Sequence, residues 1–357
     1  MLAQAYIPHD LLLVSWVMIG LLTNLSLGFI LMRCASSQPN LARWGSWSLL
    51  IIGFSSFSLL CRDAPPGFRM LAIIGVVLFS MKAVVATEVC ISGGPTLTRL
   101  QWTSWSGAWP GMAPELFTSL GRRSSHGLET EASIEESIDA HSVMSTQIHH
   151  QLTSPDTTLG FLKKGLIRLL IGGVFLLIAR QSWEMTGSRI IATVFALPGI
   201  SLVLHFGIFN LLAAFWRELG LPIYSLFPAP LVSRSLGEFW GKRWNLPFTE
   251  MIQRGVYRPL SRKVGKNFAA TAGFLCSGLL HECAISHPVQ QGYGLPLLYF
   301  VIHGALVVIE RSTSLGSWLA ARPVLSRIWT LGWLALPMPI LFHPPFLEGI
   351  VWPLIGI

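Results

Sequence analysis

The stretch "GFLCSGLLHECAISHP", residues 273–288, decides how this chain is read, because an apolar helix there meets His281 and Glu282 side by side. On a helix Gly273, Ser277 and His281 fall at i, i+4 and i+8, so two small residues lead along one face to the imidazole. Small residues let a neighbouring helix or a thin substrate chain come close.

The remainder of the chain supplies a bilayer for this helix. Of its 357 residues, 52% are hydrophobic and 12% charged, with a mean hydropathy of +0.57. That is more apolar surface than one soluble core needs, and it predicts an integral membrane protein. The first apolar run, 10–32, is longer than a signal-peptide core, lacks a basic leader and is followed by similar runs, so it reads as a retained span. At ~20 residues per crossing, spans fall near 10–32, 44–61, 68–87, 165–180, 190–216, 268–285, 293–309 and 328–342. The expected fold is therefore all-α and polytopic, with about eight transmembrane helices, the fifth long enough to be broken. Cys34, Cys61, Cys90, Cys276 and Cys283 form no C-x-x-C pair and have no zinc-type histidine spacing, so they read as small buried hydrophobes.

The formal charge of +8 does not call for nucleic acid, since Lys and Arg fall mainly between apolar segments. Loops after odd-numbered spans carry Arg33 and Arg43, then Arg99, Lys163 and Lys164, then the block from Arg217 to Lys266. "SHPVQQGYG", between spans six and seven, carries none. By the positive-inside rule the basic loops are cytoplasmic and the N-terminus lies outside. Residues 120–158 turn polar and acidic, which predicts a disordered or loosely packed cytoplasmic insertion. Its pair His149 and His150 has no fold to fix a metal geometry, and no metal site is expected.

Counted from residue 268, His281 lies 13 residues along its helix, about 20 Å into a core of about 30 Å. One reading makes it a hydrogen-bonded histidine near the outer interface, with Glu282 reaching toward water. The other makes the pair functional, because ionisable groups at this depth cost several kcal/mol unless paired or solvated. A neutral imidazole is also suited to accept a proton near pH 7. His205 is a second intramembrane histidine, either a cavity residue or a packed one. Lys82 lies near the inner end of span three and is expected to snorkel.

A second stretch, "SRSLGEFWGKRWNLPFTEMIQRGVYRPLSRK" at 233–263, occupies the most basic loop. Ser235 to Leu246 fits an amphipathic helix with Leu236, Phe239, Trp240, Arg243 and Trp244 near one face, a Glu238–Lys242 pair, and Pro247 as its stop. Alone, it also fits an interfacial aromatic belt with basic anchors.

Read together, the two stretches resemble the membrane-bound O-acyltransferase superfamily, most closely its wax-synthase-like branch, whose members carry S-L-x-x-F-W-G-R-R-W-N and, downstream, S-G-x-x-H-E. The matching residues are Ser235, Leu236, Phe239, Trp240, Gly241, Lys242, Arg243, Trp244 and Asn245, then Ser277, Gly278, His281 and Glu282. Lys242 replaces the usual arginine, keeping the charge and losing the planar fork. The likeness extends to "WPGMAPELF" at 109–117, "LHFGIFNLLAAFWRELG" at 204–220 and "GYGLPLLYF" at 292–300. It suggests three parts: 1–119 with N-terminal transmembrane helices and an amphipathic loop, the 120–158 insertion, and an acyltransferase core at 159–357.

The resemblance implies transfer of a fatty acyl group from acyl-CoA, as co-substrate, to a lipid alcohol, with no bound cofactor. His281 would be the general base, and Asn245 would orient the donor or stabilise the oxyanion. Trp240, Trp244, Lys242, Arg243, Ser277, Glu282 and His205 would bind substrate, Glu282 orienting the site rather than moving the proton. Lys242, Arg243, Arg254, Arg258, Arg262 and Lys263 are placed in sequence to meet the CoA phosphates. No G-x-S-x-G elbow suggests a serine intermediate. The same resemblance admits a sterol, diacylglycerol or secondary-metabolite hydroxyl as acceptor. A proton-coupled lipid transporter using His281 and Glu282 is the rival from another class, and a catalytically dead scaffold a third. The wording of "SRSLGEFWGKRWN" and "AISHP" resembles bacterial members more than plant ones, which implies a cytoplasmic membrane rather than endoplasmic reticulum.

Overall fold

The computed structural model describes residues 2–121 and 157–357, all helix and connecting turns with no strand among them. The expected insertion at 120–158 falls almost wholly outside the described residues. Among the described residues, six helices are long and apolar enough to cross a membrane: Leu11–Cys34, Pro66–Ile91, Arg189–Glu218, Lys266–Val289, Leu295–Ser312 and Pro323–Leu341. The two other expected spans lie within the helices Pro39–Leu60 and Thr158–Thr186. The protein is thus an all-α polytopic membrane protein.

Side-chain placement follows from a lipid solvent. Helix Thr158–Thr186 exposes Leu166, Ile167, Leu170, Val174 and Leu177, and turns Gly165, Gly172 and Ala179 inward. A Cβ on Gly172 would come within 2.9 Å of the Gly199 carbonyl, so the small residue is what lets helix Arg189–Ser201 approach. The fifth expected span continues through a widened π turn, Leu202–Ile208, into Phe209–Glu218, and is not interrupted.

Helix Pro66–Ile91 is the centre of the N-terminal half, with every residue from Ser80 to Cys90 buried. Lys82 does not snorkel: it is 0% exposed. Its ammonium donates to the carbonyls of Trp105, Trp109 and Gly111 at 2.7–2.8 Å and lies 4.1 Å from the Trp105 ring. Three acceptors and an aromatic face replace its water, which is how a charge is held at such a place. Of the cysteines, Cys61 and Cys90 are buried as expected, whereas Cys34, Cys276 and Cys283 are partly exposed.

Candidate active site

The basic stretch builds a corner, and not the amphipathic helix its pattern suggests. Ser235 caps a single turn, Leu236–Glu238, by accepting from the Glu238 N–H at 2.9 Å. Glu310 fastens that turn to helix Leu295–Ser312, its carboxylate accepting from the N–H groups of Leu236 at 3.2 Å and Gly237 at 3.3 Å, and from Trp329 Nε1 at 2.9 Å. The chain then widens into a π turn, Phe239–Arg243. The extra residue per turn makes i+5 the neighbour of i, so Glu238 pairs with Arg243 at 2.6 Å and not with Lys242.

Asn245 ends the motif with φ 47° and ψ 60°, a left-handed conformation that asparagine tolerates better than most side chains. Pro247 therefore lies in the first turn of a new helix, Leu246–Ile252, where its missing N–H is not needed. It opens a helix where the sequence pattern made it a stop. Two bonds pin the corner: Leu246 N–H to the Leu226 carbonyl at 3.0 Å, and Thr249 Oγ1 to the Trp240 carbonyl at 2.7 Å.

Between this corner and helices Lys266–Ala284 and Leu295–Ser312 runs a cavity of about 160 Å³. Trp240, Trp244, Asn245, Ser277 and His281 line it, with Phe248 and Phe300 at the histidine and Arg311 among the lining residues from the far end of the last helix. His281 Nδ1 lies 2.7 Å from the Ser277 carbonyl oxygen. A carbonyl only accepts, so Nδ1 carries the hydrogen and Nε2 keeps a lone pair in the neutral ring. The ring packs against Phe248 at 5.3 Å and Phe300 at 4.3 Å between centroids. The Asn245 side chain makes no cap hydrogen bond to the helix it precedes, which leaves its amide for the cavity.

Of the seven residues first expected to bind substrate, four do not line the cavity, and neither do Arg254, Arg258, Arg262 and Lys263. Lys242 is exposed. Arg243 is bound to Glu238 and reaches the Pro228 carbonyl at 3.5 Å. Glu282 accepts from the N–H groups of Gly294 at 2.8 Å and Leu297 at 3.1 Å, fixing the start of the helix that brings Phe300 to His281. His205 lies behind Trp244, with ring centroids 5.7 Å apart, and its Nδ1 is 3.1 Å from Ser201 Oγ. Sequence reasoning missed Phe248, Phe300 and Glu310. A carboxylate at the end of the apolar run "HGALVVIE" was the only available sign of the last.

A second polar cluster adjoins the corner. Tyr224 donates to Glu250, and Arg254 lies 2.9 Å from Glu115. Burial pushes the Glu250 carboxyl up to about 7 against the pull of Arg254 and its hydrogen bonds. Arg254 is thereby committed to carboxylates inside the protein.

Residues 223–302, which include most of the cavity lining, match the Membrane bound O-acyl transferase family. Over 196 residues, 51% of this chain and 57% of the relative, the sequence is 27% identical to "Probable long-chain-alcohol O-fatty-acyltransferase 9" of Arabidopsis thaliana. It is 30% identical over 101 residues, 26% of this chain and 29% of the relative, to the long-chain-alcohol O-fatty-acyltransferase of Simmondsia chinensis. It is 26% identical over 197 residues, 51% of this chain and 56% of the relative, to acyl-CoA–sterol O-acyltransferase 1 of Arabidopsis thaliana. The matches thus span about half or less of these curated relatives. The cavity segment thus resembles membrane-bound O-acyltransferases, and the relatives it is similar to are named for acyl transfer to long-chain alcohols and to a sterol.

Proposed function

We propose that this protein is an acyl-CoA-dependent O-acyltransferase that esterifies a long-chain alcohol, with His281 as general base. The observation that carries the reading is the fixed tautomer of His281: its Nδ1 is spent on the Ser277 carbonyl in a cavity shared with Asn245. The family match and the names of the relatives support acyl transfer to a hydroxyl.

In the proposed reaction His281 Nε2 takes the alcohol proton as the oxygen attacks the thioester carbonyl carbon. The Asn245 amide donates to the oxygen as it becomes negative. Collapse breaks the C–S bond, and the CoA sulfur leaves with the proton returned from the imidazolium. The products are an ester and CoA, and no acyl-enzyme forms. Aromatic walls keep water from competing for the thioester. Glu282 and His205 act in this scheme by holding Phe300 and Trp244, and the binding roles expected of them become positioning roles.

A sterol acceptor is the second reading, favoured by the sterol acyltransferase among the relatives. The proposed location is a bacterial cytoplasmic membrane with the basic loops inside, a reading that rests on motif wording and loop charge while the relatives reported are plant proteins. The test is CoA release by purified protein given palmitoyl-CoA with hexadecanol, with a sterol, or with neither, His281→Ala run alongside. Alcohol-dependent release and a new ester, both lost in a folded H281A protein, are expected. Equal release by both proteins would make His281 structural.

A further inference from the structure

Two of the six basic residues that the sequence offered for phosphate binding are spent elsewhere, Arg243 on Glu238 and Arg254 on Glu115. Arg311 is different. It lines the cavity, it is exposed, and it makes no hydrogen bond or ion pair among the described residues. On helix Leu295–Ser312 it lies 11 residues beyond Phe300, the ring against His281. At 1.5 Å per residue that is about 16 Å from the proposed reacting centre. Along helix Lys266–Ala284 the lining runs back from His281 through Ser277 and Gly273 to Ala270, the same 11 residues.

Three stretches of chain meet where Arg311 stands. A Cβ on Gly237 would lie 3.8 Å from Arg311 Nη2, and Asn267 Nδ2 donates to Ser312 Oγ at 3.4 Å. The same stretches carry Arg234, three residues before Gly237, and Lys266, next to Asn267, both exposed. Their carboxylates are Glu238 and Glu310. The first is paired with Arg243, and the second accepts from Leu236, Gly237 and Trp329. Positive charge at this mouth is uncompensated from within the protein, a state that selects a multiply charged anion. Beyond Arg311 in the chain, an open depression of about 570 Å³ lined by Thr313, Ser314, Leu315, Ser317 and Trp318 leaves room for a bulky head group.

We propose that Arg311, with Lys266 and Arg234 beside it, is the site that binds the phosphates of the acyl donor and sets how far its thioester arm reaches toward His281. This rests on the acyl-transfer reading, and it moves phosphate recognition from the Trp-rich motif to the end of helix Leu295–Ser312. A phosphate oxygen pair matches the guanidinium fork, which is why Arg311 leads and the lysine supports. Phospholipid head groups carry the same chemistry. The cavity behind Arg311 favours the donor, because only the donor has an arm to place in it.

The test is thermal stabilisation of the purified, detergent-solubilised full chain by CoA, by pantetheine and by phosphatidylglycerol micelles, for wild type, Arg311→Gln, Arg311→Lys and Lys266→Gln. Wild type should bind CoA more tightly than pantetheine. R311Q should weaken CoA by about tenfold, as for one charge-assisted contact, and leave pantetheine unchanged. R311K should keep part of the affinity, and K266Q should lose less than R311Q. Equal effects of CoA and pantetheine on wild type, an unchanged CoA response in R311Q, or stabilisation by phosphatidylglycerol in place of CoA would each overturn the proposal. Assays with palmitoyl-CoA separate the two readings: CoA binding that depends on Arg311 in a protein that makes no ester would end the acyltransferase assignment and leave the phosphate site standing.

Discussion

His281 and His205 are near-twins in sequence, each inside an apolar helix with a serine four residues before it, yet their surroundings differ. At His281 the partner is the Ser277 backbone carbonyl, which can only accept and so fixes one tautomer. At His205 the partner is the Ser201 hydroxyl, which can donate or accept and fixes none. The elements opposite them differ as well. His281 faces the Asn245 corner across a cavity, whereas His205 is closed in by Phe209, Phe227 and Trp244. Depth in a helix therefore does not separate the proposed base from a histidine closed in by aromatic rings; the opposing element does.

The largest effect expected from this difference is on turnover. His281→Ala should lower kcat by about 10²- to 10⁴-fold, the range for loss of a general base. His205→Gln should stay within about tenfold, acting only through the seating of Trp244. Equal losses, measured under saturating donor and acceptor, would erase the distinction.

Asn245 sharpens the same comparison from the opposite wall. Asn245→Gly keeps the left-handed backbone and removes the amide, so it should cost about 10²- to 10³-fold in kcat with little change in thermal stability. Asn245→Ala should lose similar activity and be about 1–2 kcal/mol less stable than the glycine variant, because only glycine is free of a Cβ in that conformation. An active glycine variant would mean that the corner's shape, and not its amide, is what the site uses.

Much of the fold was legible because lipid exposure writes itself as long apolar runs, and each expected span overlaps helix, six of them in helices long and apolar enough to cross a membrane. The joint presence of Asn245 and His281 was legible as well, because both reside in recognisable local patterns. What was not legible depended on backbone geometry or on distant partners. The π turn at Phe239–Arg243 moved the partner of Glu238 from Lys242 to Arg243. The left-handed Asn245 turned Pro247 from a stop into a start. Lys82 appeared free to reach water, because nothing in its own helix discloses three carbonyls of residues 105–111.

A smaller effect is expected at Glu282, which holds the helix carrying Phe300. Glu282→Gln keeps an acceptor oxygen but weakens the bonds from Gly294 and Leu297 by removing their charge assistance. Activity should fall by about three- to tenfold, with the pH dependence of kcat unchanged. A shifted pH profile would instead assign Glu282 a share in the proton transfer, and the transporter-like His–Glu relay would regain support.

The smallest effect belongs to the cluster behind the corner, and its sign follows from proton linkage. The Glu250 carboxyl is raised from its ordinary 4.5 to about 7, mainly by burial, so between those values the folded state holds a proton that the unfolded state has released. Stability must then decline as pH rises through this window and level off above it. Glu250→Gln mimics the protonated form and keeps an acceptor for the Tyr224 hydroxyl. Its Tm should be less dependent on pH between 5 and 7.5, which thermal unfolding in detergent at a series of pH values can check.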